Sequence, residues 1–181
     1  MNFDKKNESN IKDSVLRLAN DTISACVENK PLPKIDNYPE LLETKAGCFV
    51  SIHRKSLGDL RGCIGTITPI RENLALEIIH NAASACSEDG RFWPIEKDEL
   101  KNLDVSVDIL SKLEPIDSSS ELNPEQFGVV VRTGDGRSGV LLPDLPGIDS
   151  IDEQVRIAKN KAGIQNEEIV QLFRFSVVRI H

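Results

Sequence analysis

The apolar positions Ile11, Val15, Leu18, Thr22 and Cys26 recur at helical spacing, and this pattern predicts an amphipathic first helix. It stops before Pro31, because proline lacks an N–H and pushes the preceding residue out of the α region. From Gly47 to Arg54 the period shortens to two: Cys48, Val50 and Ile52 alternate with Phe49, Ser51 and His53, the signature of a strand. Ser56 to Asp59 supplies turn chemistry and Leu60 to Ile67 returns, so the pair is a hairpin. Thr68 and Pro69 read as the cap and first position of a second helix, continued by Leu74, Ile78, Ala82 and Ala85 to about Cys86. Glu88 to Gly90 ends it, Arg91 to Pro94 forms a tight connection, and Glu96 to Lys101 is a polar surface turn or short helix.

Leu103, Val105, Val107 and Ile109 then alternate with Asp104, Ser106 and Asp108, predicting a strand with one buried and one solvated face. A polar loop covers Ile116 to Gln126, and a second hairpin joins Gly128–Thr133 to Ser138–Leu142 across Gly134 to Arg137. Ser150 and Glu153 have the spacing of a capping box at the start of a third helix, whose stripe is Ile151, Val155, Ala158 and Ala162 and whose end is Gly163. Leu172 to Ile180 reads as one terminal strand.

The order helix, hairpin, helix, strand, hairpin, helix, strand defines an α+β class: a mainly antiparallel sheet from two hairpins plus single strands, with about three helices packed on it. A chain of 181 residues is one domain, or two small lobes that share a core and a cleft. A duplication of hairpin–helix–strand halves is left open by the pattern. Met1 to Asn10 is polar and reads as a disordered N-terminus, leaving 11–181 as the folded domain.

Charge narrows the partners. A net charge of −7 and a pI near 5.0 oppose attraction to phosphate backbones, so no nucleic acid is expected. No run approaches the roughly 18 apolar residues of a membrane span and the first ten residues hold no signal-like apolar segment, which predicts no membrane and a cytoplasmic setting. Cys26, Cys48, Cys63 and Cys86 are irregularly spaced, without a C-x-x-C pair, so no metal site is expected and at least three read as small buried hydrophobes.

One segment stands out. Leu60-Arg61-Gly62-Cys63-Ile64-Gly65 places two glycines inside a strand, which is costly unless backbone bulges or something approaches closely. Strand alternation puts Arg61 and Cys63 on one face. The Arg61 guanidinium could draw the Cys63 thiol below its usual value of about 8.5, making Cys63 a catalytic nucleophile, with His53 or His80 as the candidate base. Arg61 and Arg91 together could instead hold an anion, or each could pair internally, Arg61 with Asp89 or Glu88, with Phe92 and Trp93 as core or pocket wall. Asp104 and Asp108 are assigned no chemistry, since a solvated sheet face explains them.

Leu60 to Gly65, together with Asp89-Gly-Arg-Phe92, Pro94, Gly139-Val-Leu-Leu-Pro143 and Lys161-Ala-Gly-Ile164, resembles the AMMECR family over roughly Ile11 to Ile180. Bacterial members resemble a component of the AmmeMemoRadiSam system, so the resemblance implies Memo-like and radical-SAM proteins as partners; the cofactor is unknown. Many members carry His-Gly where this chain has Phe127-Gly128. The expectation is a cleft lined by Arg61, Gly62, Cys63, Gly65, Asp89, Arg91 and Phe92 that binds a small anionic ligand or a modified group on a partner. The alternatives are an interaction adaptor with a purely structural motif and a Cys63-dependent enzyme.

Overall fold

The computed structural model describes residues 5–181. In chain order the helices and strands are α1 (Lys5–Val27), β1 (Cys48–Arg54), β2 (Leu60–Gly65), α2 (Leu74–Ser87), β3 (Leu103–Leu110), β4 (Glu114–Ile116), β5 (Gly128–Arg132), β6 (Ser138–Leu141), α3 (Ile151–Lys161), β7 (Gln171–Phe175) and β8 (Val177–Ile180). Among the described residues these build three α-helices and two four-stranded antiparallel sheets, ordered β2-β1-β3-β8 and β4-β7-β5-β6. The α+β expectation is met. Of the N-terminal segment expected to be disordered, residues 1–4 lie outside the described residues, and Lys5 to Asn10 continue α1.

The chain divides into two compact units, one running to Ile109 and taking in Val178–His181, the other Leu110–Val177. Each has its own hydrophobic cluster. In the first, Val15 and Leu18 of α1, Ile78 and Ala82 of α2, and Val50, Ile52 and Val107 of the sheet are buried together. In the second, Val129 and Val131 of β5, Leu141 of β6 and Ala158 of α3 form the cluster with Leu122 and Ile164. These are the residues whose spacing predicted the elements, since burial of one face is what selects register and helix orientation.

Four local expectations are corrected. Helix α2 begins at Leu74, not at Thr68: Asn73 is the cap, accepting from the Leu76 amide at 3.0 Å. The preceding loop is held by Glu77, fully buried, which accepts from Thr66 Oγ1 at 2.5 Å and from the Ile70 and Arg71 amides at 3.0 and 2.8 Å. Those amides find the carboxylate and have no need of helical geometry. The terminal strand is two strands in two sheets, broken at Ser176, which bonds reciprocally with Ser111: Ser111 N donates to Ser176 O and Ser176 N to Ser111 Oγ. At α3 only half of the capping box forms, because Glu153 turns to Arg156; the complete box lies at Ser118 and Glu121, inside the segment read as a polar loop, which also contributes Ile116 to β4. Asp108 is 4% exposed and accepts from Arg179 Nε at 2.8 Å, so that end of its strand face is not solvated.

Candidate functional site

Strand β2 is an edge strand, and the motif occupies all of it. Its two faces do different work. A Cβ added to Gly62 would lie 2.3 Å from the Ala85 carbonyl oxygen, so this face is pressed against the backbone of α2 and glycine is what permits the approach. Cys63 therefore points away from α2, and His80, exposed on that helix, is not its neighbour. The thiol instead meets Ser51, whose Oγ donates to Cys63 Sγ at 3.3 Å from the paired position on β1. His53 lies one pleat further along β1, opposite Leu60.

Arg61 is committed within the unit. Its Nε and Nη2 donate to the two carboxylate oxygens of Glu99, each at 2.8 Å, while Nη1 donates to Trp93 O at 2.9 Å and Nη2 to Pro94 O at 3.3 Å. The side chain is 12% exposed. Glu99 also accepts from the Glu96 amide at 2.9 Å, and the guanidinium lowers its pKa below the usual carboxylate range. The expected internal partners of Arg61 were Asp89 or Glu88; Glu99 takes that place. A planar fork facing a carboxylate is the geometry for which Arg differs from Lys.

Asp89 and Arg91 close the outer edge of β2. The Cys63 amide donates to Asp89 Oδ2 at 2.9 Å and the Cys63 carbonyl accepts from Arg91 Nη2 at 3.2 Å, while Arg91 Nε and Nη2 hold the Asp89 carboxylate at 2.9 and 2.7 Å. The ion pair thus supplies one acceptor and one donor where a neighbouring strand would, which blocks an otherwise open edge. Asp89 is 6% exposed, and the Arg91 guanidinium, followed by the Cys63 and Arg91 amides, outweighs burial and holds its carboxyl at about 2.

Arg91 remains 58% exposed, its Nη1 carries no partner among the described residues, and its guanidinium lies 5.4 Å from the centre of the half-buried Phe92 ring. Trp93, expected as core or pocket wall, is 88% exposed. Arg61, Cys63, Asp89, Arg91 and Phe92 lie on or beside the outer side of β2, while Gly62 faces α2 and Gly65 lies over Phe49. Sequence reasoning missed Glu99; its signal was a glutamate three residues after Glu96 ahead of a strand, the spacing at which a carboxylate reaches back to an amide. Among the described residues no group of three or more His, Cys, Asp or Glu side chains could hold a metal ion. Nor is any described helix long and apolar enough to cross a membrane.

In the second unit, Phe127 stands directly before β5. Its carbonyl accepts from Gln154 Nε2 at 2.7 Å and its ring lies 4.7 Å under the Arg174 guanidinium. Gln154 is fully buried and its Oε1 has no partner among the described residues.

Fold and site together define an α+β protein of two hairpin–helix–strand units, with a glycine-bearing edge strand sealed by an Asp–Arg pair. The chain belongs to the AMMECR1 family, whose model matches residues 16–180. A protein of Thermotoga maritima is 51% identical over 141 residues, covering 77% of this chain and 80% of its own length. Protein CA_C1420 of Clostridium acetobutylicum is 40% identical over 93% of this chain, which spans only 36% of that longer protein. The crystal structure of the uncharacterized protein PH0010 from Pyrococcus horikoshii superposes with a TM-score of 0.80 at 29% identity, covering 91% of this chain and 88% of that one.

Proposed function

We propose that this domain is a protein-docking module whose contact surface is the Arg91–Pro94 loop, with Leu60–Gly65 as the rigid strand that holds the loop in shape. One observation carries the reading: Arg61 fixes the carbonyls of Trp93 and Pro94, yet the Trp93 side chain is 88% exposed. An indole presented on an immobilised backbone loses little conformational entropy on binding, and Trp and Arg are the residues most enriched at the energetic centres of interfaces. Arg91 beside it keeps an uncommitted guanidinium nitrogen for a carboxylate at the partner's rim. The Clostridium relative, with most of its length outside the match, is what a domain that works beside others leads one to expect.

A free anion is a weaker occupant, because Asp89 already neutralises Arg91 and Arg61 is committed to Glu99. The Memo-like and radical-SAM proteins implied by the family resemblance are the first partners to test. Tagged protein should co-purify with one of them, and Trp93→Ala should abolish the association while Cys63→Ala leaves it intact. Trp93 is the only tryptophan, so its fluorescence should shift to the blue as the partner covers it. Association that survives Trp93→Ala, or that Cys63→Ala removes, would overturn the reading in favour of a Cys63-centred site.

A further inference from the structure

We propose that the free edge of β6 is a strand-addition site, at which an extended acidic segment of a partner protein joins the second sheet beside β6. This strand ends the order β4-β7-β5-β6 and has β5 on one side only. The hairpin fixes which of its backbone groups point outward. Thr133 N donates to Arg137 O at 3.0 Å, so these residues form a hydrogen-bonded pair, and alternation along the ladder makes Val131–Gly139 and Val129–Leu141 the next ones. Ser138 and Val140 hold the intervening positions, so their N–H and C=O groups face away from β5. Among the described residues, no group meets them on that side.

The corresponding edge of the first unit is closed. Gly62 of β2 and Gly139 of β6 each approach a helix carbonyl, of Ala85 and of Ala158. The residue after Gly62 is Cys63, whose outward amide and carbonyl are held by Asp89 and Arg91; the residue after Gly139 is Val140. The steps that lead from Ala85 to Asp89 and Arg91 lead from Ala158 to Ala162 and Ile164. Neither of those side chains has a donor or an acceptor, and Ile164 is buried in the hydrophobic cluster of its unit. The seal is therefore lacking at β6, and an edge with unpaired N–H and C=O groups is a template for another strand.

The two faces beside the edge select the occupant. On one, Ala158 and Ala162 of α3 lie against Gly139, and Val155 on the same stripe is half-buried, so apolar side chains of an added strand extend that cluster. On the other, Arg132 is paired with Ser138 across the hairpin, is exposed, and rests 5.1 Å from the centre of the Phe173 ring, with no carboxylate partner among the described residues. Ser138 is small, which leaves a carboxylate on the added strand within reach of the guanidinium. The segment that fits thus alternates apolar and acidic residues, with the acidic ones opposite Ser138 and Val140. A second copy of β6, Ser138–Leu141, carries no acidic residue and does not meet that requirement.

The surface lies within the second unit, and its test does not involve Trp93. The intact chain is titrated with three capped hexapeptides: alternating valine and glutamate, alternating valine and lysine, and the valine–glutamate peptide N-methylated at its glutamates. Calorimetry gives the affinities and NMR-detected hydrogen exchange reads the Ser138 and Val140 amides. The valine–glutamate peptide should slow exchange at both amides, bind more tightly than the lysine peptide, and bind at least about tenfold more tightly than the N-methylated one. Val140→Pro removes an outward N–H and no bond to β5, and should abolish binding. Arg132→Ala should erase the preference for glutamate over lysine. Unchanged exchange at Ser138 and Val140 with every peptide, equal binding of the N-methylated peptide, a preference for lysine, or a dimer of the chain that Val140→Pro dissociates would each overturn the proposal. If Val140→Pro folds poorly, the N-methylated peptide on wild type decides alone.

Discussion

The two units repeat one plan with different outcomes. In the first, the hairpin β1–β2 leads to α2 and then β3, with sheet order β2-β1-β3; in the second, β5–β6 leads to α3 and β7, with order β6-β5-β7. The strand after β3 joins the second sheet and the strand after β7 joins the first, each as an edge. The correspondence reaches single residues. Gly62 lets β2 approach the Ala85 carbonyl, and Gly139 lets β6 approach that of Ala158. Arg61 clamps Glu99 and the Trp93 carbonyl; Arg137 clamps Glu168 and the Gly163 carbonyl. Both glutamates also accept the amide three residues earlier, of Glu96 and of Gln165. These shared features are therefore architecture, and the duplication that the sequence pattern left open is visible in the fold. What the first unit has in addition is the Asp89–Arg91 seal on its edge strand and the exposed Trp93 on the segment behind it, so function is best sought in that difference.

The largest expected effect comes from the paired glycines. A Cβ would lie 2.3 Å from backbone oxygen at Gly62 and 1.9 Å at Gly139, with no flexible side chain to give way. Gly62→Ala and Gly139→Ala should each destabilise by about 2–3 kcal/mol in urea unfolding, Gly139 the more. If either is silent, the two positions are not equivalent. Next are the clamps. Arg61 is 12% exposed and Arg137 is 37% exposed, so Arg61→Ala, which strands Glu99 and two carbonyls, should cost about 2–3 kcal/mol and Arg137→Ala clearly less. Equal losses would contradict the claim that the first clamp is the more firmly built.

A smaller effect follows from the Asp89–Arg91 seal of the first unit. Asp89 titrates at about 2 in the fold, below the value of about 3.9 for an unfolded chain, so its stabilisation is present above pH 4 and is lost as the pH falls from about 4 to about 2. Urea unfolding across that window should show a loss on the order of 1–2 kcal/mol in wild type that Asp89→Asn lacks. The smallest change is in the second unit: Gln154→Leu forfeits one bond to the Phe127 carbonyl but removes an unpaired buried oxygen, so stability should stay within about 1 kcal/mol of wild type. A large loss there would mean that Oε1 has a partner in solution.

Most strands were legible because alternation is a local signal. β1 and β3 carry it within a few residues, the turn residues Gly134 to Arg137 marked the β5–β6 hairpin, and the Ser150 cap with its apolar stripe marked α3 equally well. The start of α2 was not legible, since Thr68 and Pro69 carry good local helix chemistry and only a buried carboxylate eleven residues from Thr66 decides against it. The division of the C-terminal strand was hidden for a similar reason: Leu172 to Ile180 is uniformly strand-like, and the partner that breaks it, Ser111, is 65 residues away. For the candidate site, Arg61, Cys63, Asp89 and Arg91 were named from their residue types, but Glu99, 38 residues from Arg61, was not.

The sequence by itself determined the α+β class, the two hairpins and the family motif, because periodicity, turn residues and glycine placement act over a few positions at a time. Only the tertiary structure decided that Arg61 is a clamp, that Asp89 and Arg91 seal a strand edge and that Trp93 is left outside. Each of those depends on which distant groups satisfy a charge or a backbone bond, and that choice is made when the elements pack.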